Sequence, residues 1–526
     1  VSDAEYDYIV IGAGSAGCVL ANRLSDDADV RVLLLEAGGA DRNPLIHMPA
    51  GLAGLVFNQQ VNWHYYTEPE PQLHGRQLYW PRGRVLGGSS SINAMCYTRG
   101  HALDYDEWAR LTDDRWSYRN VLPVFRKAED QARGADEFHG AGGPLSVEDL
   151  RFRNPLSGVF VEAGEQTGIP RNADFNGAAQ GGVGFYQVTQ RNGRRCSTAV
   201  AYLRPAQYRR NLQVCTGSMV RRIVFRGTRA SGVEWLRKDG PHAARAGREV
   251  ILAAGAIGSP EVLMLSGVGP AVELEKLGIP IVANIPAVGA NLQDHLDFCT
   301  LFKCTQTLTY DFSAWQELSV ALRYFTTHSG PGVSNIAEAG AFIRSPLATD
   351  VRPDIQLHFV PAQLDDHGRN RLPGHGFTLH ACGLRPLSRG AVTLRSAKPG
   401  DRPRIHPNYL SEPHDLRVLV EGVRICREIV HAPAFAAYRG TEVFPGEGDL
   451  EHIVREKAET IYHPVGTCRM GNDADSVVDE RLRVRQVEGL RVVDASIMPR
   501  LIGGNTNAPV VMIAERAAEE IRGGVS

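Results

Sequence analysis

The strongest constraint on the fold lies near the start of the chain. An apolar, β-branched run, Tyr8-Ile-Val-Ile11, stops at glycine and passes into Gly12-Ala-Gly14-Ser-Ala-Gly17. A short run of this kind, with no polar alternation, reads as a buried parallel strand. Ser15–Leu24 then carries Ala16, Val19, Leu20 and Leu24 at helical spacing, and Val30–Leu35 is a second apolar run that ends on Glu36. The expected unit is strand, helix, strand, with both strands parallel. Its glycines have separate tasks: a tight turn, close approach of the backbone to a pyrophosphate, and packing of helix on strand. Glu36 stands about 20 residues on, where an acid would meet ribose hydroxyls. FAD and NAD use the same cradle, so the motif alone leaves the dinucleotide open.

The rest of the chain extends this α/β beginning. Arg221–Arg226 and Val233–Leu236 read as strands of a sheet or hairpin, and Glu249–Ala253 as a further buried strand. Between about residues 300 and 450 the texture changes: Ile355–Val360, Phe377–Ala381 and Ala391–Leu394 alternate as strands of an antiparallel sheet facing a pocket or helices. Leu450–Thr460 reads as a helix leading to a loop at His463, Leu490–Val493 as a strand, and Pro509–Ile521 as a helix. The 526 residues exceed a single typical domain.

Charge and cysteine usage narrow the partners. Net charge is −2 with no long basic run, which argues against nucleic acid or an anionic membrane surface as a partner and for a small ligand. The nine cysteines are scattered, odd in number and without a Cys-x-x-Cys pair, so neither a disulfide framework nor a metal site is expected. The chain opens without a basic head, apolar run and cleavage site, and no apolar stretch reaches the roughly 20 residues of a membrane span. A cytoplasmic protein is expected, with peripheral membrane association left open.

Two further segments resemble a known family. Gly83-Arg-Val-Leu-Gly87-Gly88-Ser89-Ser90-Ser91-Ile92-Asn93, continuing through Tyr97 and Gly100 to Asp106, resembles the first signature of the glucose-methanol-choline (GMC) oxidoreductases. Gly255-Ala-Ile-Gly-Ser259-Pro260, continuing to Ser266-Gly267-Val-Gly269, resembles the second. Asn43–Pro49 and Ala458–Gly471 are similar to the bacterial FAD-dependent aliphatic alcohol dehydrogenases and choline dehydrogenase-like proteins of that family. The resemblance covers nearly the whole chain. It implies a Rossmann-like FAD-binding domain from residues 1–155, 190–300 and 455–526, and a substrate-binding domain on an antiparallel sheet from 156–189 and 301–454.

The resemblance also implies roles. Gly12, Gly14, Ser15, Ala16 and Glu36 match the nucleotide cradle, and Arg84, Gly88, Ser89, Asn93, Ala94 and Met95 match the strip along pyrophosphate and flavin. Val220 matches the residue whose backbone meets the adenine, and Asp494, Ala495, Asn505 and Thr506 match contacts around the ribityl chain and flavin ring. Some relatives attach the flavin through a histidine where this chain has Ile92; isoleucine cannot form that bond, so a non-covalent FAD is expected. His463 and Asn507 fall where the family keeps its catalytic pair.

Neutral histidine suits removal of a hydroxyl proton, and asparagine can orient the substrate oxygen or share a hydrogen bond with His463 without adding charge. Asn507 could equally cap the helix that follows it. His47, His295, His358, His380 and His406 have no matched catalytic place and read as packing or surface residues, His358 and His380 also as pocket lining. Trp63, Tyr65, Phe312, Phe359 and Tyr462 are aromatic pocket candidates, and Glu338 or Asp365 could hold a choline-like cation. The expected reaction is oxidation of a primary alcohol to an aldehyde, with electrons passed to a quinone. Alternatives are an oxidase that reduces O2 to peroxide and, in another class, a hydroxynitrile lyase.

Overall fold

The computed structural model describes residues 4–523, and these build two principal sheets. In the first, Leu212–Cys215, Val32–Leu35, Glu5–Ile11 and Gly240–Leu252 lie side by side in that order, all parallel. The apolar runs explain the arrangement: every residue of Val32–Leu35 is buried, as a strand covered on both faces requires. The long strand Gly240–Leu252 changes partner along its length. Its start pairs antiparallel with Arg229–Arg237, and its end pairs parallel with Leu490–Val492. Met219–Arg226 completes the expected hairpin against Arg229–Arg237.

The second sheet is antiparallel throughout. Its order is Arg439–Phe444, Leu296–Cys304, Gly376–Gly383, Ile355–Val360, Ala339–Ile343 and Gly182–Phe185. Period-two alternation sorts its side chains. Leu357, Phe359, Phe377, Leu379 and Ala381 pack with Phe160, Val418, Cys426 and Ile429, from the helices Pro155–Gln166 and Pro413–His431. Gln356, His358 and His380 occupy the other parity and are buried too. The alternation expected from the sequence is present, with helices on one face and a cavity on the other.

Three local expectations change. Ala391–Thr393 stays outside the large sheet and pairs with Arg404–His406, its register taken up by Val392 donating to the Gly289 carbonyl at 2.7 Å. The helix expected over residues 450–460 stops at Lys457, because Glu459–Thr460 is drawn into a short ladder with Leu296 and Asp297. The last helix begins at Asn507 rather than Pro509. All nine cysteines are free, and no helix among the described residues is long and apolar enough to cross a membrane.

Candidate functional site

The carboxyl ends of the parallel strands and the inner face of the antiparallel sheet enclose a cavity of about 640 Å3, and ligands of open α/β sheets sit at such strand ends. Backbone contacts shape the cradle. Gly12 has φ +98°, and a Cβ on Gly17 would stand 1.8 Å from the Gly12 carbonyl oxygen, so strand and helix meet with no room for a side chain. A Cβ on Gly14 would meet no protein atom within 4 Å; it borders open cavity. Glu36 closes the turn, accepting from Ala13 N at 2.9 Å and Gly38 N at 2.8 Å. Burial pushes its carboxyl up to about 7, against these donors and Arg84.

Every cofactor residue expected from the sequence lines this one cavity: Gly12, Gly14, Ser15, Ala16 and Glu36 with Val220; Arg84, Gly88, Ser89, Asn93, Ala94 and Met95; and Asp494, Ala495, Asn505 and Thr506. His463, Asn507 and Ile92 line it as well. The fold thus gathers segments from both ends of the chain, tied where Ser15 Oγ donates to Asn507 Oδ1 at 2.7 Å. Two features of the wall suit a bound phosphate-bearing group. The buried Arg84 Nε has no partner within the described residues, and Gly14 leaves its backbone exposed to the cavity.

The walls also hold strained backbone. Met95, Ile336 and Tyr462 line the cavity at φ +60°, +70° and +71°, a left-handed conformation that side chains disfavour, most of all β-branched ones. Strain of this sort costs roughly 1–3 kcal/mol per residue and collects at functional sites.

His463 sits in a hydrogen-bond chain that assigns its protons. His295 Nε2 lies 3.1 Å from the Leu384 carbonyl, which only accepts, so that nitrogen carries hydrogen. Burial, then the charge of Arg385, hold His295 down to about 3, so the ring is neutral and its Nδ1 is bare. His463 Nδ1, 3.0 Å away, must therefore donate, leaving Nε2 of His463 as a lone pair. Asn505 Nδ2 lies 3.2 Å from that lone pair. Gln356 Nε2 and Thr98 Oγ1 donate to Asn505 Oδ1 at 3.1 and 3.2 Å, which fixes the amide so that its nitrogen faces His463. Burial is the main cause holding His463 well below its ordinary range, with repulsion from His295, His358 and Arg82 adding to it. Asp294 accepts the His463 backbone N–H at 2.7 Å and pins the loop.

This geometry revises several expectations. The amide beside His463 belongs to Asn505, because Asn507 turns its oxygen to Ser15. His295 is more than a packing residue, since it sets the tautomer of His463; nothing in its sequence neighbourhood signals that role. His358 and His380 do line the cavity, as do Trp63, Tyr65 and Tyr462, whereas Phe312 and Phe359 do not. Phe359 faces the helices instead. His406 is exposed and His47 half-buried. Glu338 and Asp365 are off the wall, and Glu338 is consumed by the Ser157 and Ser334 hydroxyls, the Asn154 N–H and Tyr310. Although no metal spacing exists in sequence, the ligand-type atoms of Asp297, Cys299 and His380 lie within 4.8 Å of one another; there His380 Nδ1 is bonded to Asp297 at 2.6 Å.

Comparison with known proteins places these features among relatives. Models of the GMC oxidoreductase family match residues 6–297 and 386–514. The chain is 48% identical to alcohol dehydrogenase (acceptor) of Pseudomonas putida, over 98% of this chain and 95% of that protein. It is 46% identical to mitochondrial choline dehydrogenase of Mus musculus, over 99% of this chain and 90% of that protein. Among solved structures, pyridoxine 4-oxidase from Mesorbium loti superposes with a TM-score of 0.91 at 34% identity, covering 99% of this chain and all of the other.

Proposed function

The chain belongs to the GMC oxidoreductase family, and from that premise we propose that it oxidises a primary alcohol to an aldehyde with a non-covalently held FAD. His463 is the general base, and a quinone-type acceptor takes the electrons. The observation that carries the reading is the bare Nε2 of a buried, neutral His463 on the cavity wall. When bound, FAD supplies a hydride acceptor. Backbone N–H groups of Ser15 and Ala16 and the unpartnered Arg84 Nε would hold its pyrophosphate, Glu36 its ribose, and Ala94, Met95, Ala495, Asn505 and Thr506 its ring system. Ile92 offers the flavin no atom for a covalent bond.

The chain's own residues divide the remaining work. His463 Nε2 accepts the hydroxyl proton while Asn505 orients the oxygen beside it. Asn507, at the start of the last helix, holds a neutral amide where charge develops. Trp63, Tyr65, Val360, Leu364 and Tyr462 give the substrate end an aromatic and aliphatic wall, which favours an aliphatic or benzylic alcohol over a sugar. Glu338 and Asp365, the carboxylates expected to hold a choline-like cation, are off that wall.

Anaerobic mixing with octanol, benzyl alcohol, choline and glucose tests the proposal: bleaching of the flavin band by octanol or benzyl alcohol is expected. Aldehyde and cyanide release from a cyanohydrin, without bleaching by any alcohol, would instead identify a lyase. A second reading, an alcohol oxidase, is favoured by the likeness to pyridoxine 4-oxidase. Rapid peroxide formation on admitting air to the reduced enzyme would support it; slow reoxidation that quinone accelerates supports the acceptor-linked form.

The electrostatics set the pH response. His463 lies below its ordinary 6.5, so the base is fully unprotonated above that value and activity is lost only as pH falls through the lowered pKa. An apparent base pKa at or above 6.5 would contradict this. His295→Ala removes the partner of His463 Nδ1. Its kcat should fall about 10²-fold, the scale of a misplaced catalytic group, while flavin content stays near that of the parent. An unchanged kcat would show that His295 does not position His463.

A further inference from the structure

The helix Ala314–Thr327 stands apart from every other helix of its length in this chain, because Tyr324 is its only buried residue. Ser313 caps it, and it is held by packing of Tyr324 and Val320 against Met48, Val333 and Phe152. Its large apolar residues face outward: Trp315 is 82% exposed, Leu318 59%, Leu322 64% and Phe325 56%. At 3.6 residues per turn these four fall within roughly a quarter of the helix circumference. A helix of this length is marginal in water without a packed apolar face, and contiguous exposed apolar surface marks an interaction site.

Three arginines lie on the helix or beside its anchoring cluster. Arg323 is on the helix, Arg153 adjoins Phe152 of the anchoring cluster, and Arg194 acts on the Tyr324 hydroxyl. All three are exposed, and none forms an ion pair among the described residues. Glu317 is the one acid on the helix, so the three arginines outnumber it. The face also adjoins the route inward: the helix rests on Gly330–Val333, and the next residues, Asn335, Ile336 and Ala337, line the cavity, as do Leu52 and Val56 beyond Met48.

From this combination we infer that Ala314–Thr327 is a monotopic docking helix that lays Trp315, Leu318, Leu322 and Phe325 into the interface of an anionic phospholipid bilayer, with Arg153, Arg194 and Arg323 meeting the headgroups. An apolar face crossed by Trp and Leu and edged by arginine is the pattern of interfacial helices. Docked in this way, the protein presents the cavity-lining segments beside the helix to the membrane, a source of apolar alcohol and lipid-soluble acceptor. The surface inference stands independently of the reaction assigned to the cavity.

Co-sedimentation of the full chain with phosphatidylcholine vesicles containing phosphatidylglycerol tests it. The protein should pellet with these vesicles, less with phosphatidylcholine alone, and less again in high salt. Leu318→Glu with Leu322→Glu should weaken binding at least about tenfold, since both leucines lose their burial in the interface, while circular dichroism and Tm remain those of the parent. An Arg153→Gln and Arg194→Gln pair keeps the apolar stripe and should lose only the preference for anionic lipid. Failure of the parent to pellet with either vesicle overturns the inference. So does a dimer in sedimentation velocity that the leucine variant abolishes without any vesicle binding, which would make the stripe a contact between copies.

Discussion

His463→Ala should leave a yellow protein that turns over alcohols about 10²–10⁴-fold more slowly, the range contributed by a positioned general base. The expectation is specific because His463 touches the cavity through one bare nitrogen, and its other nitrogen is spent on His295. Alanine removes the proton acceptor while the loop remains tied by its backbone N–H to Asp294. Flavin content, read from the visible spectrum, should stay near that of the parent, and single-turnover flavin reduction should carry the defect. Near-normal reduction would remove His463 from the role of base. Loss of the flavin would mean instead that the ring acts mainly as wall.

The second large effect separates two glycines three residues apart. Gly17→Ala should lose flavin and stability together, by at least about 3 kcal/mol, the upper end of ordinary overpacking. The added carbon would stand 1.8 Å from the Gly12 carbonyl oxygen, and neither atom belongs to a side chain that can rotate away. Gly14→Ala is expected to fold normally, because its Cβ meets nothing in the protein and its φ of −78° suits any residue. It should nonetheless bind FAD more weakly, since the methyl group enters the space reserved for the pyrophosphate. Denaturation curves and flavin titration of both variants check this. A Gly14→Ala protein with unchanged FAD affinity would show that the cradle does not approach the cofactor there.

How far the sequence could be read depended on the range of the interactions. The strand, glycine turn and helix near the start of the chain are local patterns: the helix forms with its expected bounds, Ser15–Leu24, and the strand ends as expected at Ile11 but begins earlier, at Glu5. The alternation of Ile355–Val360 was legible because it is set by the pleat, but not which parity faces the cavity: His358 lines it, whereas Phe359, expected there too, packs on the helices. The partnership of His295 with His463 was not: it depends on Leu296 pairing with Thr460, a two-residue ladder between segments far apart in the chain. The same ladder explains why the helix from Leu450 ends early. Asn505 and Asn507 illustrate a finer limit, since both amides reach the cavity and only Ser15, Thr98 and Gln356 decide which turns toward the histidine. Glu338 was misplaced because a carboxylate in sequence carries no sign of the four donors that bury it.

The left-handed residues of the cavity wall have a consequence for laboratory evolution. Met95, Ile336 and Tyr462 are positions where glycine or asparagine would relieve backbone energy. Selection for heat tolerance alone should therefore reach them early, Ile336 first, because a β-branched residue gains most. The cost would fall on turnover, since the three side chains exchanged are part of the cavity wall. Selection that alternates heat with activity should leave all three unchanged and accumulate its substitutions on the outer surface.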